Sequence, residues 1–239
     1  MDNLEQLAQE PSQAAAIASR LMAAYPGQAE EIGTIVIGAL LRASAYASAL
    51  ELAQSGPEAG RTGWITLVLI HWTKNHSEDA ELITGLLREK GVTAETFTLV
   101  TQSWASSAPS QLARYALALP PGEHRSIAIG SVLDPWIQQD PAAVTSWSTQ
   151  LTDPAERDQA LSRLVARSDS AFRSTSQALA WAESIANPEL RHAALASVVR
   201  EWFGQDPAAA TRYIDSSPAF DQTQRHQLVA SLAPPIDPS

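Results

Sequence analysis

"WIQQDPAAVTSW" at Trp136–Trp147 and "WFGQDPAAATRYI" at Trp202–Ile214 carry Trp, Gln, Asp, Pro, Ala, Ala, Thr and an aromatic in the same order, 66 residues apart. Recurrence at a fixed spacing is the signature of a repeat architecture, and the register extends from this phrase in both directions. With each Trp at slot zero, Trp72, Trp104, Trp136 and Trp202 form a ladder with gaps of 32, 32 and 66 residues. The last gap divides as 34 and 32 with Ser170 in the missing slot. Five residues after the slot come Pro109, Pro141, Thr175 and Pro207. Eleven after it come Ile83, Tyr115, Trp147, Trp181 and Tyr213. Twenty-one after it come Arg125, Arg157 and Arg191, with Arg225 displaced by two. Backwards, slots at Leu40 and Gln6 place Arg61 and Pro11 in step. Seven units thus begin near Gln6, Leu40, Trp72, Trp104, Trp136, Ser170 and Trp202. They form one domain over residues 1–239 that ends in a tail at 234–239.

Each unit reads as two helices. The first opens at Asp140-Pro141 or Asp206-Pro207, where the Asp carboxylate can accept an orphan backbone N–H and Pro, lacking one, suits the first helical position. Val144, Trp147 and Leu151 then share a helical face, repeated as Leu112, Tyr115 and Leu119, as Ala178, Trp181 and Ile185, and as Ala14, Ile17 and Leu21. A break follows at Pro120-Pro121-Gly122, Asp153-Pro154 or Asn187-Pro188. The second helix carries apolar residues at +3, +4, +7, +8 and +11 from the arginine, the α-helical period. From Arg125 these are Ala128, Ile129, Val132, Leu133 and Trp136; from Arg61, Trp64, Ile65, Val68, Leu69 and Trp72. Thr93 begins an equivalent stripe of Thr96, Phe97, Val100, Thr101 and Trp104, and Arg191 one of Ala194, Leu195, Val198, Val199 and Trp202. A hairpin of this size cannot bury both stripes alone and has to stack on its neighbours. The expected fold is all-α, an α-solenoid of about seven helix-turn-helix repeats of 32–34 residues.

In period and layout these units resemble tetratricopeptide and HEAT-like repeats. The unit W-x-x-x-D-P-x-A with a later Arg is similar to a Trp/Asp-Pro helical repeat of uncharacterised bacterial proteins. It departs from the tetratricopeptide pattern, whose first helix has a Gly-and-Tyr pair; here Ala, Thr or Ser accompany a single aromatic. The resemblance implies a scaffold for other proteins or peptides, without catalysis.

Composition narrows the chemistry. The net charge is −10, and quarters 1–60, 61–120, 121–180 and 181–239 carry −5, 0, −2 and −3. None is basic, which argues against nucleic acid and against a polybasic membrane anchor. There are no cysteines, so disulfides, thiolate metal sites and thiol nucleophiles are excluded. The first residues are acidic where a signal peptide is basic, and the longest apolar runs, Ile32–Leu41 and Trp64–Ile70, are too short to span a bilayer, so no membrane insertion is expected. A cytoplasmic protein is the expectation, with an exported form whose signal has been trimmed as the alternative.

Trp72, Trp104, Trp136 and Trp202 lie on the apolar stripe and read as structural plugs rather than a stacking platform. Arg125, Arg157 and Arg191 read as structural too. Asp140 lies fifteen residues after Arg125 and Asp206 fifteen after Arg191, so each Arg is expected to pair with the next unit's cap; the expectation fails for Arg157, whose matching position holds Phe172. The histidines (His71, His76, His124, His192 and His226) show no metal-ligand spacing. Glu30-Glu31 and Glu78-Asp79 read as solvated, and the glycines of "GPEAGRTG" (56–63) as a junction between helices. No cofactor or metal is expected.

Off the buried stripe the first helices carry small residues, among them Ser110, Ala113, Ala142 and Thr145. Arg114, Thr145, Glu183 and Arg212 are the candidate partner contacts. A non-catalytic scaffold binding a protein or peptide is the leading reading. The alternatives are an α/α-fold enzyme, which would need convergent carboxylates in a cavity, and a helical accessory domain of a larger enzyme.

Overall fold

The computed structural model describes residues 10–76, 79–87, 92–167 and 174–232. The slots at Gln6 and Ser170, Phe172 and the tail at 234–239 lie outside them. Among the described residues the secondary structure is helical throughout: fourteen α-helices, one short 3-10 turn and no strand. The helices are α1 (Pro11–Ala24), α2 (Ala29–Arg42), α3 (Tyr46–Ser55), α4 (Glu58–Asn75), α5 (Ala80–Leu87), α6 (Ala94–Ser107) and α7 (Pro109–Ala118), then α8 (Glu123–Gln139), α9 (Pro141–Ser148), α10 (Pro154–Arg167), α11 (Thr175–Glu183), α12 (Pro188–Gln205), α13 (Pro207–Ser216) and α14 (Gln222–Leu232). None of them is long and apolar enough to cross a membrane. The chain divides into two compact units, Met1–Val132 and Leu133–Ser239, with the division inside α8.

Local chemistry sets the helix starts. The carboxylates of Asp140 and Asp206 accept the Ala143 and Ala209 N–H groups, each at 2.9 Å. Asn187 accepts from Glu189 and Leu190, and Asp153 from Ala155. These caps satisfy N–H groups that have no partner within the helix. Asp134-Pro135 has the same composition, yet α8 runs through it. Asp134 instead pairs with Arg163 at 3.0 Å and Arg167 at 3.4 Å. The α2–α3 turn closes differently. Ser44 adopts a left-handed φ of 56°, and the Ser44 and Ala45 N–H groups reach back to the Leu41 and Leu40 carbonyls.

In the first unit, α1 packs on α2 and α3, α2 on α3 and α4, and α4 on α6. Thr66 meets Thr96 at 2.8 Å, and Thr73 donates to Ser103 at 3.3 Å. Two contacts seven residues apart share one offset of 30, so α4 and α6 run parallel in fixed register. Trp64 donates to Thr34 and Thr101 meets Ser131, again at offsets of 30. The stripe residues Trp64, Val68, Phe97, Val100, Trp104, Ile129 and Val132 are buried.

The glycine-rich stretch 56–63 departs from the expected junction. Only Gly56 and Pro57 lie between helices, because α4 begins at Glu58. Gly60 is inside α4 for a packing reason: a Cβ there would stand 2.7 Å from the Trp64 ring, and one on Gly56 2.5 Å from it. Gly33 in α2 closes the same socket around the indole.

In the second unit, α10 packs on α9, α11 and α12, and α12 on α11 and α13. Val144, Trp147, Leu151, Leu164, Trp181, Ile185, Leu195 and Val199 form its core. Offsets of nearly one repeat recur here: Asp134–Arg163 at 29, Tyr213–Glu183 at 30, and Asp158 to Ala186 and Asn187 at 28 and 29.

Two faces differ from expectation. Ala14 is buried in α1, but Ile17 and Leu21 are exposed; Ala15, Ala18 and Met22 take the inner positions instead. Small residues let the neighbouring helices approach α1 from that side, which turns the larger ones outward. Ala113, expected on the open face of α7, is fully buried.

Candidate functional site

The junction between hairpins is built from one recurring ring pair. Trp104 meets Tyr115 with centroids 5.6 Å apart, Trp136 meets Trp147 at 5.7 Å, and Trp202 meets Tyr213 at 5.9 Å. Each pair joins the slot Trp to the aromatic eleven residues on. Where that position holds Ile83, Trp72 stacks on Tyr46 instead, at 5.5 Å and 17°. Trp72, Trp104 and Trp136 are buried. Trp202 is only half-buried.

The arginines correct a sequence expectation. Arg125 is buried and donates to the Leu119 carbonyl at 3.0 Å and the Leu117 carbonyl at 3.3 Å. Arg191 donates to the Ile185 carbonyl at 3.0 Å, Arg61 to Gly56 at 2.8 Å and Arg225 to Ser217 at 2.8 Å. The carboxylates of Asp140 and Asp206 are engaged with N–H groups of their own helices instead. The last carbonyls of a helix have no intrahelical partner. An Arg at the start of the next helix reaches the carbonyls at that end, those of Gly56, Leu119, Ile185 and Ser217 just past the last helical residue and that of Leu117 within it, at a sequence distance of five to eight residues. Arg157, at the equivalent position, is half-buried.

The candidate partner contacts divide between the two compact units. Arg114 is exposed on α7 in the first. In the second, Arg212 is exposed on α13, and Thr145 is half-buried with its hydroxyl on the Pro141 carbonyl. Glu183 is exposed at the end of α11 and accepts the Tyr213 hydroxyl at 2.8 Å. Burial, with Glu183 adding to it, pushes the Tyr213 phenol up to about 12; a Ser217 hydrogen bond works in the opposite direction. Glu183 and Tyr213 are therefore joined by a hydrogen bond across one repeat, with Arg212 next to Tyr213 in the chain.

Three side chains escaped the sequence reading. Asp79, expected to be solvated, is half-buried and accepts the Trp72 indole N–H at 2.7 Å. It lines a cleft of about 450 Å³ with Ser44, Tyr46, Ser48, Trp72 and His76. Asp158 is buried and accepts the Ala186 and Asn187 N–H groups, both at 2.7 Å, which fixes the turn that starts α12. Tyr46 sits between Trp72 and His76, 5.2 Å from the latter. The one sequence signal for Asp79 is its position seven residues after a slot Trp, a place no other unit fills with a carboxylate. Among the described residues no group of three or more His, Cys, Asp or Glu side chains is placed to hold a metal ion.

Comparison with protein-family models, with curated proteins and with solved structures finds no match.

Proposed function

We propose that the chain is a non-catalytic helical-repeat scaffold for a protein or peptide partner. In this reading its helices form an α-solenoid of about seven hairpins of 32–34 residues, of tetratricopeptide-like or HEAT-like kind. The observation that carries it is the parallel register of α4 and α6. Thr66–Thr96 and Thr73–Ser103 keep one offset, and other hydrogen bonds between residues distant in the chain span 28–34 residues. With tetratricopeptide-like geometry the first helices line the inner surface for recognition, where charges such as Arg114, Glu183 and Arg212 stand among small residues.

Two experiments test this reading. Deleting one whole unit, residues 105–136, keeps the register of everything that follows, so the shortened chain remains helical and cooperatively folded; deleting half a unit does not. Equal damage from both deletions refutes the repeat. For recognition, peptides selected from a random display library on the native chain are titrated against the R114E/R212E variant. A loss of about tenfold or more in affinity, roughly 1.4 kcal/mol, is expected; unchanged binding removes these arginines from the site.

A further inference from the structure

The cleft beside Tyr46 has two walls of opposite electrical character. One is the start of α3. Its first residues, Tyr46, Ala47 and Ser48, line the cleft, and their N–H groups have no partner within the helix. Ala45 stands at the cap position, where Asp140 and Asp206 bring a carboxylate to α9 and α13, and no side chain among the described residues caps α3. The partial positive charge of this helix start therefore meets no carboxylate of its own.

The other wall is Asp79, the only carboxylate among the described lining residues. Its Oδ2 accepts the Trp72 indole N–H at 2.7 Å, and its Oδ1 has no partner among the described residues. One indole joins the two walls, because Trp72 also stacks on the Tyr46 ring at 5.5 Å. A further unmatched group points to a ligand. Tyr46 is only 6 % exposed, yet its hydroxyl bonds to none of the described residues. A tyrosine so buried usually finds a partner for its hydroxyl; this one is held between Trp72 and His76 and lines the cleft.

We propose that the cleft binds a free amino acid as its zwitterion. The ligand carboxylate lies at the N–H groups that open α3, Asp79 Oδ1 takes the ammonium group, and the Tyr46 hydroxyl bonds to the ligand. The choice of ligand follows from the two walls. A simple anion is repelled by Asp79 and a simple cation by the α3 N-terminus, whereas a zwitterion satisfies both. The cleft volume of about 450 Å³ lies within the range of small-molecule sites, roughly 300–1,000 Å³. Neither Arg114 nor Arg212 lines it, so it is a site in addition to the partner contacts.

Titration calorimetry of the full chain with the common free α-amino acids tests this. At least one is expected to bind. Its N-acetyl and carboxamide derivatives, which each lack one of the two charges, are expected to bind about tenfold or more weakly. D79N keeps an oxygen for the Trp72 indole but loses the charge, so a comparable loss is expected with the helical circular dichroism retained. A45D gives α3 a carboxylate of its own, as Asp140 does for α9; binding is then lost while the melting temperature holds or rises. The proposal is overturned if no amino acid binds at millimolar concentration, if either derivative binds as tightly as its parent, or if D79N or a folded A45D leaves the affinity unchanged.

Discussion

Replacing Asp158 with Ala removes a buried carboxylate that takes two backbone N–H groups at once, from Ala186 and Asn187, each at 2.7 Å. Hydrogen bonds to a charged group contribute about 1.5–3 kcal/mol each. The two do not simply add, because Ala186 and Asn187 are exposed residues and water can replace part of the loss. A destabilisation of about 2–4 kcal/mol follows. Asp158→Asn keeps one acceptor oxygen and turns an NH2 toward the second amide, so about half that cost is expected. Urea unfolding followed by circular dichroism gives the global figure, and amide exchange at Ala186 and Asn187 gives the local one. If the cost falls on local opening, protection of those amides drops about 30- to 1,000-fold, at 1.4 kcal/mol per factor of ten. The effect should be concentrated at the α11–α12 turn, with the amides of α2 and α4 changing least. A change below about 0.5 kcal/mol, the range of ordinary surface substitutions, with unaltered exchange at both amides, would refute the staple.

Gly60→Ala places a methyl group against the Trp64 ring and should lower stability by about 1–3 kcal/mol, whereas Gly63→Ala meets no neighbour and should be neutral or stabilising; thermal melting of the pair separates the two. Arg191→Met removes the donor on the Ile185 carbonyl and should cost about 1.5–3 kcal/mol. Arg163→Met breaks a solvent-exposed ion pair and should cost no more than about 1 kcal/mol, so equal effects in denaturant would contradict the distinction between carbonyl bonding and surface pairing. The Tyr213 phenol is raised in the folded state, so its contribution to stability is complete below the unfolded value near 10 and is lost as pH rises towards about 12. Stability measured between pH 9 and 12 should therefore fall less steeply in Tyr213→Phe than in the native chain, and identical slopes would rule this linkage out.

The helix starts at Asp140-Pro141, Asn187-Pro188 and Asp206-Pro207, and the burial of Val132, Trp104 and Trp147, were legible in the sequence. Capping and helical period are decided within a turn or two of chain, and the register of Trp and Asp-Pro states both. The destination of the arginines was not legible. Arg125 and Arg191 stand fifteen residues from an Asp and six from an orphan carbonyl, and only the path of the hairpin shows that the carbonyl is the nearer partner. For the same reason the glycines at 56–63 read as a loop until Trp64 filled the space above them. Asp158 and Asp79 gave no local sign of their roles, since the groups they accept from are fixed by packing. The exposure of Arg114 and Arg212 follows from helical period alone, whereas the Glu183–Tyr213 bond needed two helices to be brought side by side. By itself, then, the sequence determined that the chain is helical, where its helices begin and which stripe each one buries, because those depend on neighbours in the chain. Which side chains bridge one hairpin to the next, and which apolar faces such as Ile17, Leu21 and Val229 stay uncovered, was decided by the tertiary structure, because those depend on atoms about thirty residues away.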